Sequence, residues 1–150
     1  MESEIVNYAS KLSPIMDKLL EDAYWNNSAI DFMFAQSHVW KPEEFQLRLP
    51  EVGIAYFMEG MERIKARQKE IAEVVPPIEA KSHHMKLLMA CQKGEQALGE
   101  YITYVSQVSE HGVGEDSYLQ RWNALMQEKT RLLDEANRDL LELYTKAYGR

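Results

Sequence analysis

Apolar residues recur at alternating spacings of three and four along most of the chain. One row with unbroken spacing holds six apolar residues and one glutamine: Ile54, Phe57, Met61, Ile64, Gln68, Ile71 and Val75. This spacing aligns side chains on one face of an α-helix, whereas a half-buried strand alternates with a period of two. Alternating β-branched runs and the Asn-Gly or Asp-Gly turns of hairpins do not occur. The chain is therefore predicted to be all-α, with Gln68 either hydrogen-bonded to fix the register or nearer the surface.

Prolines mark bends and ends in the first two predicted helices. The first helix carries the row Ile5, Tyr8, Leu12, Ile15 and Leu19. Pro14 predicts a bend in this helix, and the alternative is a separate turn over residues 2–12. The second helix is predicted to begin at Pro42 and to be kinked or broken near Pro50 and Gly53.

Pro76 and Pro77 are predicted to end the second helix and begin the third, which ends near Gly112. A fourth helix follows from about residue 115 almost to the carboxyl end. The apolar rows of these two helices are Leu88, Cys91, Leu98, Ile102 and Val105, then Leu119, Trp122, Met126, Leu133, Ala136, Leu140 and Leu143. Four long helices with short connections predict one domain over residues 1–150, an antiparallel up-down-up-down four-helix bundle.

The charge and apolarity of the chain disfavour several classes of partner. A net charge of −7 opposes binding to nucleic acid and to anionic lipid surfaces. The longest unbroken apolar run, residues 87–91, is far shorter than the roughly 20 residues of a membrane-spanning helix. The first residues lack the apolar segment of a signal peptide, and a single cysteine excludes an intramolecular disulfide. A cytoplasmic protein without a membrane span is expected.

The histidines and the cysteine are predicted to be structural. No histidine follows a glutamate by three residues, the ligand spacing of carboxylate-bridged di-iron bundles. His84 is expected to be partly buried and hydrogen-bonded at one end of the bundle, with His83 facing solvent. Cys91 lies on the apolar row of the third helix, so it is expected in the core. No cofactor and no catalytic residue are predicted.

A metal site is the alternative at one end of the bundle. In an antiparallel arrangement, the first and third connections lie at the same end. This would bring His38 and His111 close to Glu115 and Asp116, and zinc accepts histidine and carboxylate ligands. The other interpretation is a solvated loop end that carries polar residues.

Basic residues alternate with other residues in the second predicted helix. Arg63, Lys65, Arg67 and Lys69 have several glutamates as sequence neighbours. This mixture of charges is typical of a solvated helix face and not of a nucleic-acid-binding patch.

Residues 24–45 are unusually rich in aromatic side chains. The first helix either continues to about residue 36 or gives way to a new turn at Ser28. Four aromatic residues of this segment, Trp25, Phe32, Phe34 and Trp40, are candidates for an interaction surface. The alternative is a buried plug that closes one end of the bundle. A small apolar ligand held between the helices near the two tryptophans is a further hypothesis.

Residues 76–90 carry a pattern of their own, Pro-Pro-x-Glu-x-Lys-x-x-His-x-x-Leu-Leu-x-Ala. This pattern resembles the helix opening of small bacterial, often Gram-positive, four-helix-bundle proteins of unknown function. The resemblance covers residues 76–110 and the general helical layout. It implies a bacterial protein in which His84 belongs to the helix opening without an assigned chemistry. Many such proteins are exported or lipid-anchored, which is the alternative to a cytoplasmic location.

These features predict a non-enzymatic helical-bundle protein that binds another protein or itself. Long heptad rows and an acidic surface motivate this hypothesis. A metal-binding module or metal-dependent hydrolase and the binding of a small apolar ligand are the alternatives.

Overall fold

The computed structural model describes residues 2–37 and 54–148, and four α-helices account for most of them. They are α1 (Glu2–Ser37), α2 (Ala55–Glu73), α3 (Lys81–His111) and α4 (Asp116–Tyr148). A short 3₁₀ helix, Ile78–Ala80, precedes α3. No strand occurs in this part of the chain. The predicted all-α four-helix fold is confirmed.

The predicted end of α3 near Gly112 and the start of α4 are confirmed as well, whereas α3 begins at Lys81, after the 3₁₀ helix, and not at the proline pair. Gly112 adopts a φ of 78°, and its N–H donates to the Val108 carbonyl at 2.9 Å, which closes α3. At Gly114, a β-carbon would lie 2.5 Å from ring atoms of Tyr104, so only glycine fits there. These two glycines allow a short, tight connection, so that α4 packs along α3.

Helix α1 runs through Pro14 without interruption, so the alternative of a separate turn over residues 2–12 is wrong. Packing of α1 against its neighbours outweighs the loss of one helical hydrogen bond at the proline. A bend at Pro14 stays a prediction. Pro42, Pro50 and Gly53 lie outside the described residues, as does the rest of the connection over 38–53.

Helices α2 and α3 pair their residues in opposite sequence order. The rings of Phe57 and Tyr101 lie 4.9 Å apart, while Gln68 donates a hydrogen bond to Glu95 at 2.8 Å. Gln68 is thus both partly buried and hydrogen-bonded between helices. The up-down-up-down order of the whole bundle stays a prediction.

Two apolar clusters fill the interior. The first lies between α2 and α3 and contains Phe57, Ile64, Leu98, Tyr101 and Val105. The second joins all four helices and contains Tyr8, Leu12, Leu19, Ile71, Ala80, Leu87, Cys91 and Ala136. The predicted core position of Cys91 is confirmed. No helix among the described residues is both long enough and apolar enough to span a bilayer.

A buried ion cluster joins α1 to α2. Asp22 is 3 % exposed, and its carboxylate lies 3.1 Å from Arg67 Nε and 3.5 Å from Arg63 Nη1. The Arg67 Nε–H is not aimed at the nearby oxygen, so attraction between charges dominates over a directed hydrogen bond. Arg67 also donates two hydrogen bonds to Glu70.

The prediction that the basic residues of α2 form a solvated face is therefore wrong for Arg67 and partly wrong for Arg63. Lys65 is exposed as predicted and pairs with Glu62 at 3.6 Å. The arginines differ because they face α1, where Asp22 supplies a buried opposite charge. Sequence neighbours alone do not show such a partner, since it comes from a different helix.

Candidate functional site

A groove runs between the first turns of α1 and the connection that leads from α2 to the 3₁₀ helix. Its volume is about 390 Å³, which lies within the range of ligand-binding clefts. Residues from both elements line it: Glu4, Asn7, Tyr8, Lys11, Val75, Pro76, Pro77, Ile78 and Glu79. The groove is open to solvent and combines apolar, charged and hydrogen-bonding groups.

The apolar rim of the groove follows from the two prolines. Val74 is in an extended conformation, and neither Pro76 nor Pro77 has an N–H to continue α2. Val75 and Ile78 on either side of the proline pair are 85 % and 79 % exposed. Val75 lies between the helices, and Ile78 begins the 3₁₀ helix with its side chain turned away from the core, so neither side chain is buried.

Charged groups stand on both sides of the groove. Glu4 and Lys11 come from α1, and Glu79 comes from the 3₁₀ helix. No ion pair joins any of the three to another residue in the described part of the chain. They are therefore available to a bound partner, with acids on both walls and one amine.

Tyr8 forms the floor of the groove and connects it to a buried pair of histidines. The Tyr8 hydroxyl lies 3.1 Å from His84 Nδ1, and burial raises the pKa of this phenol well above its usual value. The phenol therefore keeps its proton and donates to the unprotonated nitrogen. The Tyr8 ring also stands edge-on to His83, with the ring centroids 5.8 Å apart.

His83 connects α3 to α4. Its Nδ1 lies 2.7 Å from the Ala136 carbonyl oxygen, which only accepts, so Nδ1 carries the proton. Its Nε2 is buried without a hydrogen-bond partner among the described residues. Two hydrogen bonds, Tyr8 to His84 and His83 to Ala136, thus tie α1, α3 and α4 together beneath the groove.

The structure corrects the prediction for His83 and confirms the one for His84. His84 is buried and hydrogen-bonded at one end of the bundle. His83, expected to face solvent, is only 3 % exposed. His83 contacts Ala136 of α4 and Tyr8 of α1, so the buried face of α3 is wider than its single apolar row.

Burial keeps the titratable groups of this region neutral. It lowers the pKa of His83 and of His84, and the charge of His83 lowers the pKa of His84 further. Burial also raises the pKa of the Cys91 thiol to about 11. A protonated thiol is a poor nucleophile, so these groups act as packing and hydrogen-bonding elements at neutral pH.

Stability is expected to fall as the solution is acidified below pH 6.5. The unfolded chain binds protons on His83 and His84 near the usual histidine pKa of 6.5, while the folded chain does so only at lower pH. Between the two pKa values the unfolded state binds more protons, so stability is retained above pH 6.5 and lost below it. His83 contributes at most about 1.4 kcal/mol per pH unit.

Urea unfolding at pH 7.5, 6.5 and 5.5 measures this loss. The His111→Gln protein is the control, because it replaces an exposed histidine and leaves the buried pair in place. A free energy of unfolding that stays constant over this pH range would contradict the buried, neutral histidine pair.

The predicted metal site is only partly within the described residues. His111 lies 3.6 Å from Glu110, and Glu115 is hydrogen-bonded to Gln107. His38 lies outside the described residues. Among those that are described, no three His, Cys, Asp or Glu side chains group as metal ligands. The site at His38, His111, Glu115 and Asp116 stays a prediction.

The aromatic candidates also stay predictions. Trp25, Phe32 and Phe34 belong to α1, which continues to Ser37 in agreement with the longer of the two alternatives. Their side chains and the whole of Trp40 lie outside what the structure describes. Neither the exposed surface nor the buried plug is tested.

The groove itself was not predicted. Its sequence signal is the run Val75-Pro76-Pro77-Ile78, because a proline pair between helices holds its apolar neighbours out of both. The contribution of α1 has no such signal. Glu4, Tyr8 and Lys11 face the groove only because α1 packs beside this connection.

No protein-family model matches the chain, and neither a curated protein nor a solved structure is significantly similar to it. The resemblance of residues 76–90 to small bacterial bundle proteins therefore stays a prediction.

Proposed function

We propose that this chain is a non-enzymatic helical bundle that binds protein, with the groove beside Pro76 and Pro77 as its binding surface. The observation that carries the proposal is the exposure of Val75 and Ile78 on the rim of a concave surface. Single exposed apolar residues are common on proteins. Two β-branched residues that border a groove whose charges have no ionic partner among residues 2–37 and 54–148 favour a recognition surface instead.

The composition of the groove suits a peptide segment more than a charged metabolite. Its rim is apolar, while Glu4, Glu79 and Lys11 lie around it without partners in the described part of the chain. Interfaces commonly place apolar contacts at the centre and polar groups around them. A segment with an apolar side chain and neighbouring charges of both signs would match this arrangement.

The groups that catalysis most often uses have structural roles beneath the groove. His83 donates to a backbone carbonyl, His84 accepts from Tyr8, and the Cys91 thiol stays protonated. These roles support binding in preference to reaction. The cytoplasm remains the proposed location of a bacterial protein, with an exported or lipid-anchored form as the alternative.

Site-specific photo-cross-linking tests the proposal. A photo-reactive phenylalanine derivative replaces Val75 on the groove rim, and the protein is irradiated in the cells that normally produce it. The matched control places the same group at Leu141 on α4, which is also exposed but lies outside the groove. We expect a discrete protein adduct from position 75 and none from position 141.

Mass spectrometry of the adduct identifies what is bound. A second copy of the chain and a different protein both fit the proposal. Absence of any protein adduct at position 75, or equal adducts from both positions, would contradict it.

A further inference from the structure

An uncharged row, which we call the outer row, begins in the 3₁₀ helix and continues along the solvent-facing side of α3. It consists of Ile78 from the 3₁₀ helix and Ser82, Met85, Met89, Gln92 and Gln96 from α3, and all six residues are exposed. Their spacings of four and three repeat the heptad pattern of a helix-packing seam. At 1.5 Å per residue, the part of the row on α3 extends about 21 Å along the helix.

The composition of the outer row is unusual for this chain. On α2, exposed positions include five charged residues: Glu59, Glu62, Lys65, Lys69 and Glu73. In the outer row no residue is charged, and Met85 and Met89 at its centre are 56 % and 42 % exposed. Depletion of charge together with methionine is typical of the centre of a protein interface. The row is therefore suited to packing against another helix.

Charged residues flank the outer row in an ordered way. Glu79 and Lys93 lie on one side of it, and Lys81 and Glu95 lie on the other. On each side these two charges are opposite and stand toward opposite ends of the row. Lys86 lies between Glu79 and Lys93 and is already paired with Asp139 of its own chain. In helix pairs, charged residues that flank the apolar row determine which partner binds and in which orientation.

An antiparallel pair of α3 helices satisfies these charges. A two-fold axis between Met85 and Met89 places Met85 against Met89 of the second copy, and Met89 against Met85 of the second copy. It brings Glu79 near Lys93 of the second copy and Lys81 near Glu95 of the second copy. These contacts pair opposite charges on both sides of the outer row, as a self-complementary two-fold interface requires.

A parallel pair would place like charges together. Heptad geometry sets Lys81 opposite Lys86 of the second copy and Glu95 opposite Glu100. In the antiparallel pair Lys86 lies near the axis, opposite Lys86 of the second copy. Within each copy Asp139 already pairs with Lys86 at 2.7 Å and Arg121 pairs with Glu100 at 3.1 Å, so the like-charge contacts of both arrangements are weakened. Only the antiparallel arrangement adds attractions between opposite charges, so charge favours it.

Building on the proposed function, we propose that the protein partner is a second copy of this chain, bound through the outer rows of two antiparallel α3 helices. Ile78 belongs both to the outer row and to the rim of the groove. The dimer interface thus continues into the groove, and the first turns of α1 border it.

Sedimentation equilibrium of the full chain tests the dimer. The unmodified protein is expected to sediment as a dimer at micromolar concentrations. Met85→Lys places a charge against Met89 of the second copy and yields a monomer. Leu141→Lys introduces the same charge at an exposed position of α4, and this control remains a dimer. Circular dichroism verifies that both variants stay helical.

A charge exchange tests the orientation. Glu79→Lys and Lys93→Glu, made separately, each replace two attractions per dimer with repulsions and raise the dissociation constant about tenfold. Combined in one chain, they restore opposite charges and the original constant. Weakening that the double variant does not restore would overturn the antiparallel geometry.

The outcomes separate this inference from the proposed function. An unmodified protein that is monomeric at all concentrations, while position 75 still cross-links to a different protein, overturns the dimer and leaves the proposed function standing. A monomer without any adduct overturns both. If the unmodified protein is a dimer and the Met85→Lys variant remains one, the dimer uses another surface, and this result also overturns the inference.

Discussion

Replacement of Asp22 with asparagine is expected to lower the free energy of unfolding by about 3 kcal/mol. The variant keeps the shape of the side chain but removes the one negative charge that Arg67 and Arg63 share from α1. Loss of the Asp22 charge leaves the poorly solvated Arg67 guanidinium with Glu70 as its remaining ionic partner. The value lies at the lower end of the range for buried pairs because Arg63 retains access to water.

Urea unfolding of the Asp22→Asn protein measures the effect. Glu62→Gln is the matched control, since it removes an exposed carboxylate from its pair with Lys65 and costs less than about 1 kcal/mol. Equal stabilities for the two variants would show that the Asp22 carboxylate is solvated and that the ion cluster is not buried.

Replacement of Ile71 with alanine is expected to lower the free energy of unfolding by about 2–5 kcal/mol. Ile71 is fully buried in the cluster that joins α1, α2, α3 and α4, close to Leu87 and Cys91. The truncation removes buried methyl and methylene groups and leaves a cavity that four packed helices cannot close completely. This loss of unfolding free energy is expected to be larger than that from replacing an exposed side chain with alanine.

Ile78 supplies a control of the same residue type. In the single chain Ile78→Ala removes the same atoms from a side chain that is already in water. At protein concentrations below the dissociation constant of the proposed dimer, its effect on unfolding therefore stays within about 0.5 kcal/mol. Comparable losses for Ile71→Ala and Ile78→Ala would contradict the division between core and rim.

The helical fold follows from short-range patterns, which is why the sequence predicts so much of it. Apolar spacing identifies the helices, and Gly112 marks the end of α3 through a backbone conformation that favours glycine. Cys91 is placed in the core because it lies on the apolar row. Each of these inferences uses residues that are close together in the chain.

The errors share a different cause. Arg67 meets Asp22, and His83 meets the Ala136 carbonyl, from helices far apart in sequence. Periodicity shows which face of one helix is apolar, but it does not show which polar groups of other helices face it. The groove is missed for the same reason, because Tyr8 and the proline pair come together only when α1 packs beside the connection.

The most direct test combines Ile78→Ala with the photo-reactive group at position 75. It measures the yield of the protein adduct and shows whether the exposed apolar residues bind a partner or stabilise the core. We expect a marked loss of the protein adduct, while the free energy of unfolding, measured at protein concentrations below the dissociation constant of the dimer, remains that of the unmodified chain. An undiminished adduct together with a loss of stability like that of Ile71→Ala would contradict it.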